Sequence, residues 1–238
     1  VLTFFVLVFV LSVPFLVLGA LSGGMLPADL PVSGFMVVCP LIAAVYLSHR
    51  EGNAGELLRR VFARAGVRPA VWYLPILLLA PAITLIAYWM TRATGNYSAP
   101  DTGPGPLAMV ALFVGLLVAA ACEEAGWTGY ALEPLRRRFG RLGTGLVLGC
   151  VWALWHAVPW AMVHGLEWAA WQCLFSVAAR VIMVWLYESS GRSVLSATLF
   201  HFTINVGYVL SEANYDPEFV AAVTVVVAAF VSVRPRGG

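Results

Sequence analysis

Charge is what this sequence has least of. Only 11% of its 238 residues are charged and 61% are hydrophobic, against roughly 25% and 45–50% in ordinary soluble domains. A water-facing surface needs more charge than this, so a soluble globular enzyme and a disordered chain are both excluded. The formal net charge of +2 is too small to draw in a polyanion, which excludes a nucleic-acid binder. Lysine is missing altogether. All 14 basic residues are arginine, a compositional habit expected of a high-GC bacterium rather than a functional feature. Cysteine is scarce: Cys39, Cys122, Cys150 and Cys173 fall inside apolar stretches and form no C-x-x-C pair. Neither a disulfide framework nor a zinc knuckle is indicated, and the four read as small core hydrophobes.

In place of charge the chain has long apolar runs, at roughly 1–22, 31–48, 70–91, 106–133, 142–163, 168–188, 193–211 and 217–233. A membrane span needs about 20 mostly apolar residues. Only helices and closed barrels satisfy every backbone polar group in lipid, and these runs are too continuous for tilted strands with period-2 alternation. The expectation is an all-α, polytopic membrane bundle of about eight transmembrane helices, with residues 1–238 as one membrane domain. The first run carries no basic n-region and is too long for a signal-peptide core; it reads as a first span, clipped at its start.

With eight spans, twelve arginines fall on one side: Arg50, Arg59, Arg60, Arg64, Arg68, Arg136, Arg137, Arg138, Arg141, Arg192, Arg234 and Arg236. Only Arg92 lies on the other. The positive-inside rule then puts both termini in the cytoplasm of a cell membrane. The loops at 93–105 and 212–218 become outer loops, and the sequon Asn96-Tyr97-Ser98 carries no weight. Gly145 and Gly149 form a GxxxG step, which reads as close helix packing.

An ionisable group inside a span is expensive and marks function by default. Glu123 and Glu124 follow seventeen mostly apolar residues that begin at Pro106, which places them ~25 Å along that helix. Adjacent helical residues point ~100° apart, so one carboxylate can face the bundle centre and the other a neighbouring helix. Two carboxylates at low dielectric do not easily both ionise, and one that holds its proton suits general acid–base work. His156 sits in the next span. His201 and Asn205, four apart on one helical face, sit in the seventh. Arg180, near the middle of the sixth, is expected to pair with the glutamates. His49 and His164 lie near loops and read as packing residues. Cys122 adjoins the glutamates in an apolar setting that disfavours a thiolate nucleophile.

These motifs resemble the CPBP intramembrane protease family, the CAAX protease and bacteriocin-processing, or Abi, family. The first motif reads Glu123-Glu124-Ala125-Gly126-Trp127-Thr128-Gly129-Tyr130, the second runs from Trp152 to His156, and the third is His201 to Asn205. Leu135 to Gly140 and Trp185-Leu186-Tyr187 also fit, and the protease core is expected over 106–211. The resemblance implies an endopeptidase acting on a membrane-associated peptide or protein, with the bilayer and that substrate as its partners and no nucleic acid. Glu123 would activate a water with help from His156, Glu124 would orient that pair, and His201 with Asn205 would stabilise the oxyanion. Family members are also described as metalloproteases. No metal is favoured here, since there is no H-E-x-x-H helix. In a metal-dependent version Glu123, His156 and His201 would hold zinc or another divalent ion, with an open position for water. The family usually has Arg where this chain has Thr128, with Trp127 in its usual place. Threonine cannot neutralise Glu124, so Arg180 is expected to compensate. An inactive immunity or scaffold member is the alternative. A proton-coupled transporter is disfavoured by the absence of internal repeats, and a ferritin-like di-metal bundle by the absence of E-x-x-H pairs.

Overall fold

The computed structural model describes residues 1–21, 25–26, 30–62, 66–95, 105–211 and 214–233. Among the described residues nine α-helices follow in order: α1 Leu2–Leu21, α2 Cys39–Arg50, α3 Ala54–Phe62, α4 Tyr73–Ala93, α5 Pro106–Gly126, α6 Leu132–His164, α7 Leu166–Ser189, α8 Val194–Ser211 and α9 Pro217–Ser232. A 3-10 segment, Val32–Val38, leads into α2, and a π-helical turn, Trp127–Ala131, joins α5 to α6. The only strands among the described residues are the two-residue pair Met25–Leu26 and Leu30–Pro31. The protein is a helical membrane bundle, as its composition requires.

Among the described residues six helical stretches are long and apolar enough to cross a membrane, and one of them is 59 residues, Pro106–His164. At 1.5 Å per residue that stretch would measure about 88 Å, nearly three times the ~30 Å hydrocarbon core. Gly140 divides it. Its φ of 67° and ψ of −172° are not helical, and a left-handed φ of this kind favours glycine. The stretch therefore makes two passes. The arginines at 136–141, expected in a loop, lie instead on helical turns either side of this break. Helix α9 has only 16 residues, about 24 Å, shorter than any of these stretches.

Between α2 and α4 the apolar pattern stops, and the short α3 alternates Leu57, Leu58 and Phe62 with Glu56, Arg59 and Arg60. Glu56 accepts from Arg59 at 2.9 Å and from Arg60 at 3.1 Å, and these hydrogen bonds hold its carboxyl below the usual carboxylate range. Leu57 is buried beside Gly129 of the π turn.

Direct contacts place the arginine-rich turns on one face. The Arg68 amide donates to the Ser190 carbonyl at 3.1 Å. Arg136 reaches Glu188 at 3.3 Å, and Arg141 donates to the Ser232 carbonyl at 3.1 Å. Phe4, in the first turn of α1, packs on Tyr130 with ring centroids 5.2 Å apart. The first turn of α1 and the last turn of α9 thus sit at that face. At the other face, Tyr208 meets His164 at 3.3 Å, and Gln172 donates to the Tyr215 hydroxyl at 2.9 Å. Arg64, Arg234, Arg236, the sequon Asn96-Tyr97-Ser98 and most of the loop at 93–105 lie outside the described residues, as do the first two residues of the loop at 212–218.

The GxxxG step draws α6 against α7. A Cβ on Gly145 would stand 2.8 Å from the Val181 Cα, and one on Gly149 would stand 2.7 Å from the Val177 Cα. Only hydrogen fits there. The same close approach brings the Cβ of Arg180 within 3.3 Å of the Gly149 position. The packing glycines therefore also set the depth at which Arg180 enters the bundle.

Candidate active site

Four helices bring polar side chains to one buried place. Glu123 and Glu124 come from the end of α5, Trp152 from α6, Arg180 from α7 and His201 from α8. The π turn begins three residues after Glu124. Such turns are frequent at functional sites, and this one starts where Gly126 presses on Pro40 of α2, with its Cβ position 2.6 Å from the Pro40 carbonyl oxygen.

The two glutamates have different surroundings. Glu124 is 0% exposed and has three partners. Arg180 Nη1 donates to its Oε2 at 2.8 Å and its Oε1 at 3.0 Å. His201 Nδ1 lies 3.0 Å from Oε1, and Thr128 Oγ1 donates to Oε2 at 2.5 Å. Arg180 is itself 0% exposed, and its Cζ lies 4.3 Å from the centroid of the Trp152 ring. A buried guanidinium is tolerated only with such pairing. Its Nε and Nη2 have no hydrogen-bond partner among the described residues.

Glu123 retains 3% exposure. It receives one hydrogen bond, from Trp152 Nε1 to Oε2 at 2.9 Å, and no described residue donates to Oε1. So one carboxylate of the pair is saturated and neutralised, while the other keeps an oxygen open.

The histidines divide similarly. His156 Nδ1 lies 3.0 Å from the Trp152 carbonyl oxygen. A carbonyl only accepts, so this nitrogen carries the proton and Nε2 keeps its lone pair. The ring stacks on Trp160 at 4.7 Å and meets Trp152 edge-on at 5.3 Å. No hydrogen bond joins His156 to Glu123. His201 gives its Nδ1 to Glu124, which leaves Nε2 as its free nitrogen. Asn205 is half-buried one turn further along α8 and bonds to no described side chain. Trp127 is buried among Phe4, Phe5 and Trp155. The Trp155 indole donates to Ser12 Oγ at 2.7 Å and so ties α1 to α6.

Sequence reasoning passed over Trp152 as a contact of Glu123. Its signal was there: it stands four before His156, on the same helical face, and it carries an N–H. A cavity of about 320 Å³ opens at the arginine face. Glu51, Tyr130, Glu133 and Arg137 line it, and none of the converging residues does.

As to metal, no group of three His, Cys, Asp or Glu side chains converges as ligands would among the described residues. Glu124 is already taken by a cation, a hydroxyl and an imidazole. Glu123, His156 and His201, as placed, do not fit a metal.

In class, then, this is a multi-pass membrane protein with a carboxylate–histidine–arginine site buried between four helices. Residues 105–207 match the family model described as Rce1-like, Type II CAAX prenyl endopeptidase Rce1-like. A curated relative, CAAX prenyl protease 2 of Methanococcus maripaludis, is 26% identical over 158 residues, which are 61% of this chain and 58% of the relative. The chain thus spans a little over half the length of that relative. The matched segment, residues 105–207, contains all three motifs.

Proposed function

We infer that this chain is an intramembrane endopeptidase that hydrolyses a peptide bond in a membrane-associated peptide or protein. The observation that carries this reading is the asymmetry of the adjacent glutamates. Glu124 is neutralised by Arg180 and held by Thr128 and His201, so it orients the site without taking protons. Glu123 keeps Oε1 free to accept a proton from a water. That water's oxygen attacks the scissile carbonyl carbon, with the His156 Nε2 lone pair as second acceptor. The Asn205 side-chain amide donates to the oxyanion, and His201, one turn before it on α8, joins through Nε2 in its doubly protonated form, with Nδ1–H staying on Glu124. The intermediate collapses as the C–N bond breaks, and the proton taken from water passes to the leaving nitrogen.

We route no step through a metal; activity is expected to survive a chelator such as 1,10-phenanthroline. The matched family and relative are named for CAAX prenyl substrates, so a prenylated peptide ending in that motif is the first substrate to try. The membrane is taken as a bacterial cell membrane, with the arginine face cytoplasmic. The alternative, an inactive scaffold, rests on Thr128. Against it stands the full set of partners that Glu124 keeps through Arg180.

The test compares peptide termini from cells making the wild type with those from cells making Glu123→Gln at equal membrane levels. New termini only with the wild type, and a loss of about 10²–10⁴-fold in turnover for Glu123→Gln, support the protease. Identical termini from two folded proteins would leave the inactive reading.

A further inference from the structure

Trp152 contacts Glu123, Arg180, His156 and His201. Its indole N–H donates to Glu123 Oε2 at 2.9 Å. Its ring lies 4.3 Å from the Arg180 Cζ, and Arg180 holds Glu124. Its edge contacts with His156 and His201 have centroid distances of 5.3 and 5.2 Å. Its backbone carbonyl orients His156. It is 3% exposed, so these contacts are made away from bulk water, where a hydrogen bond to a carboxylate is stronger than at a surface.

Taken together, these contacts give the residue a task beyond filling space. Oxygen Oε2 of Glu123 is occupied, so the carboxylate turns Oε1 toward whatever is to be deprotonated. The indole N–H only donates, so it cannot compete for that proton. The π face supports the guanidinium that neutralises Glu124. One side chain therefore keeps the two adjacent carboxylates in separate roles.

We propose that Trp152 is a positioning residue for Glu123, acting through its indole N–H. The proposal rests on the protease reading for its kinetic consequence, but not for its chemical one. Phenylalanine keeps an aromatic face toward Arg180, His156 and His201 and deletes the N–H. Replacing the indole by benzothiophene, with sulfur in place of N–H, keeps the full ring as well. Two readouts apply to each, in membranes or detergent. The first is cleavage of a fluorogenic prenylated CAAX peptide. The second is the rate at which dicyclohexylcarbodiimide, an apolar carboxyl reagent, labels Glu123 and Glu124, resolved by peptide mapping.

With Trp152→Phe and with the benzothiophene analogue, kcat is expected to fall about ten- to a hundredfold, the worth of a hydrogen bond to a charged group, with KM unchanged. Labelling of Glu123 is expected to change several-fold, while that of Glu124, held by its own partners, does not. Equal change at both glutamates would mean general loosening and overturn the proposal. Unchanged labelling of Glu123 would overturn it too, whatever the turnover. If the wild type fails to cut the peptide but the Glu123-specific labelling change is seen, the positioning role stands and the protease reading is what fails.

Discussion

Removing Arg180 would leave Glu124 charged and buried with no cation beside it. Breaking a buried pair this way costs about 3–5 kcal/mol, while replacing both partners by neutral groups is often neutral. Arg180→Ala is therefore expected to lose most folded protein, and Arg180→Met with Glu124→Gln to recover it, as read by thermal denaturation in detergent. Activity should not return with the fold, because the orientation of His201 depends on Glu124. Thr128 belongs to the same cluster. Thr128→Arg alone would add a second guanidinium to a dry site and should destabilise. Combined with Arg180→Ala it moves the cation onto α5, four residues after Glu124 on the same face, and should restore stability. The cation's presence was legible from an arginine in mid-span, and its partner from the lack of one at position 128. The hydrogen bond from Thr128 was not legible, because threonine in a helix more often bonds its own backbone.

The helices matter through where they touch. Gly145 and Gly149 were readable as a packing step, but the sequence alone did not say against what. Their partner is α7, at Val177 and Val181. Gly149→Ala forces a Cβ to 2.7 Å from backbone that cannot swing aside. Overpacking of this kind costs about 1–3 kcal/mol, and it should displace Arg180 as well. The expected outcome is a lower melting temperature together with reduced turnover at temperatures where the protein is still folded. Gly115, which has nothing near its Cβ position, should accept alanine with neither effect. A break between the fourth and fifth runs was foreseen, but not that it narrows to Gly140 between helical turns, and the amphipathic α3 and the π turn were not foreseen. Each interrupts or offsets the regular 3.6-residue pattern by only a few residues, and hydropathy averaged over a span does not resolve that.

Among the described residues, most of the arginines lie on one face, with Arg92 at the opposite end and Arg180 buried between them, and the contacts of Arg68, Arg136 and Arg141 join the turns that bear them. If that face is cytoplasmic, single cysteines at Asn53 and Thr94, placed in a variant free of the four native cysteines, should react with an impermeant maleimide from opposite sides of the membrane. Reaction of both from one side of intact cells would invert or break the topology. This orientation sets where a substrate meets the site, since Glu123 lies on α5 shortly before the π turn and the arginine face.

By itself the sequence determined the class of this protein, the number and order of its apolar helices and which polar residues do not belong in lipid. Composition and periodicity are enough for that, because a bilayer imposes the same demand on every span. Only the tertiary structure decided how those polar residues divide their work. Adjacent glutamates are equivalent in a string of letters. They become different when α7 delivers Arg180 to one and α6 delivers the Trp152 N–H to the other. Charge neutralisation and hydrogen-bond direction depend on distances between side chains that are 29 to 77 residues apart in the chain.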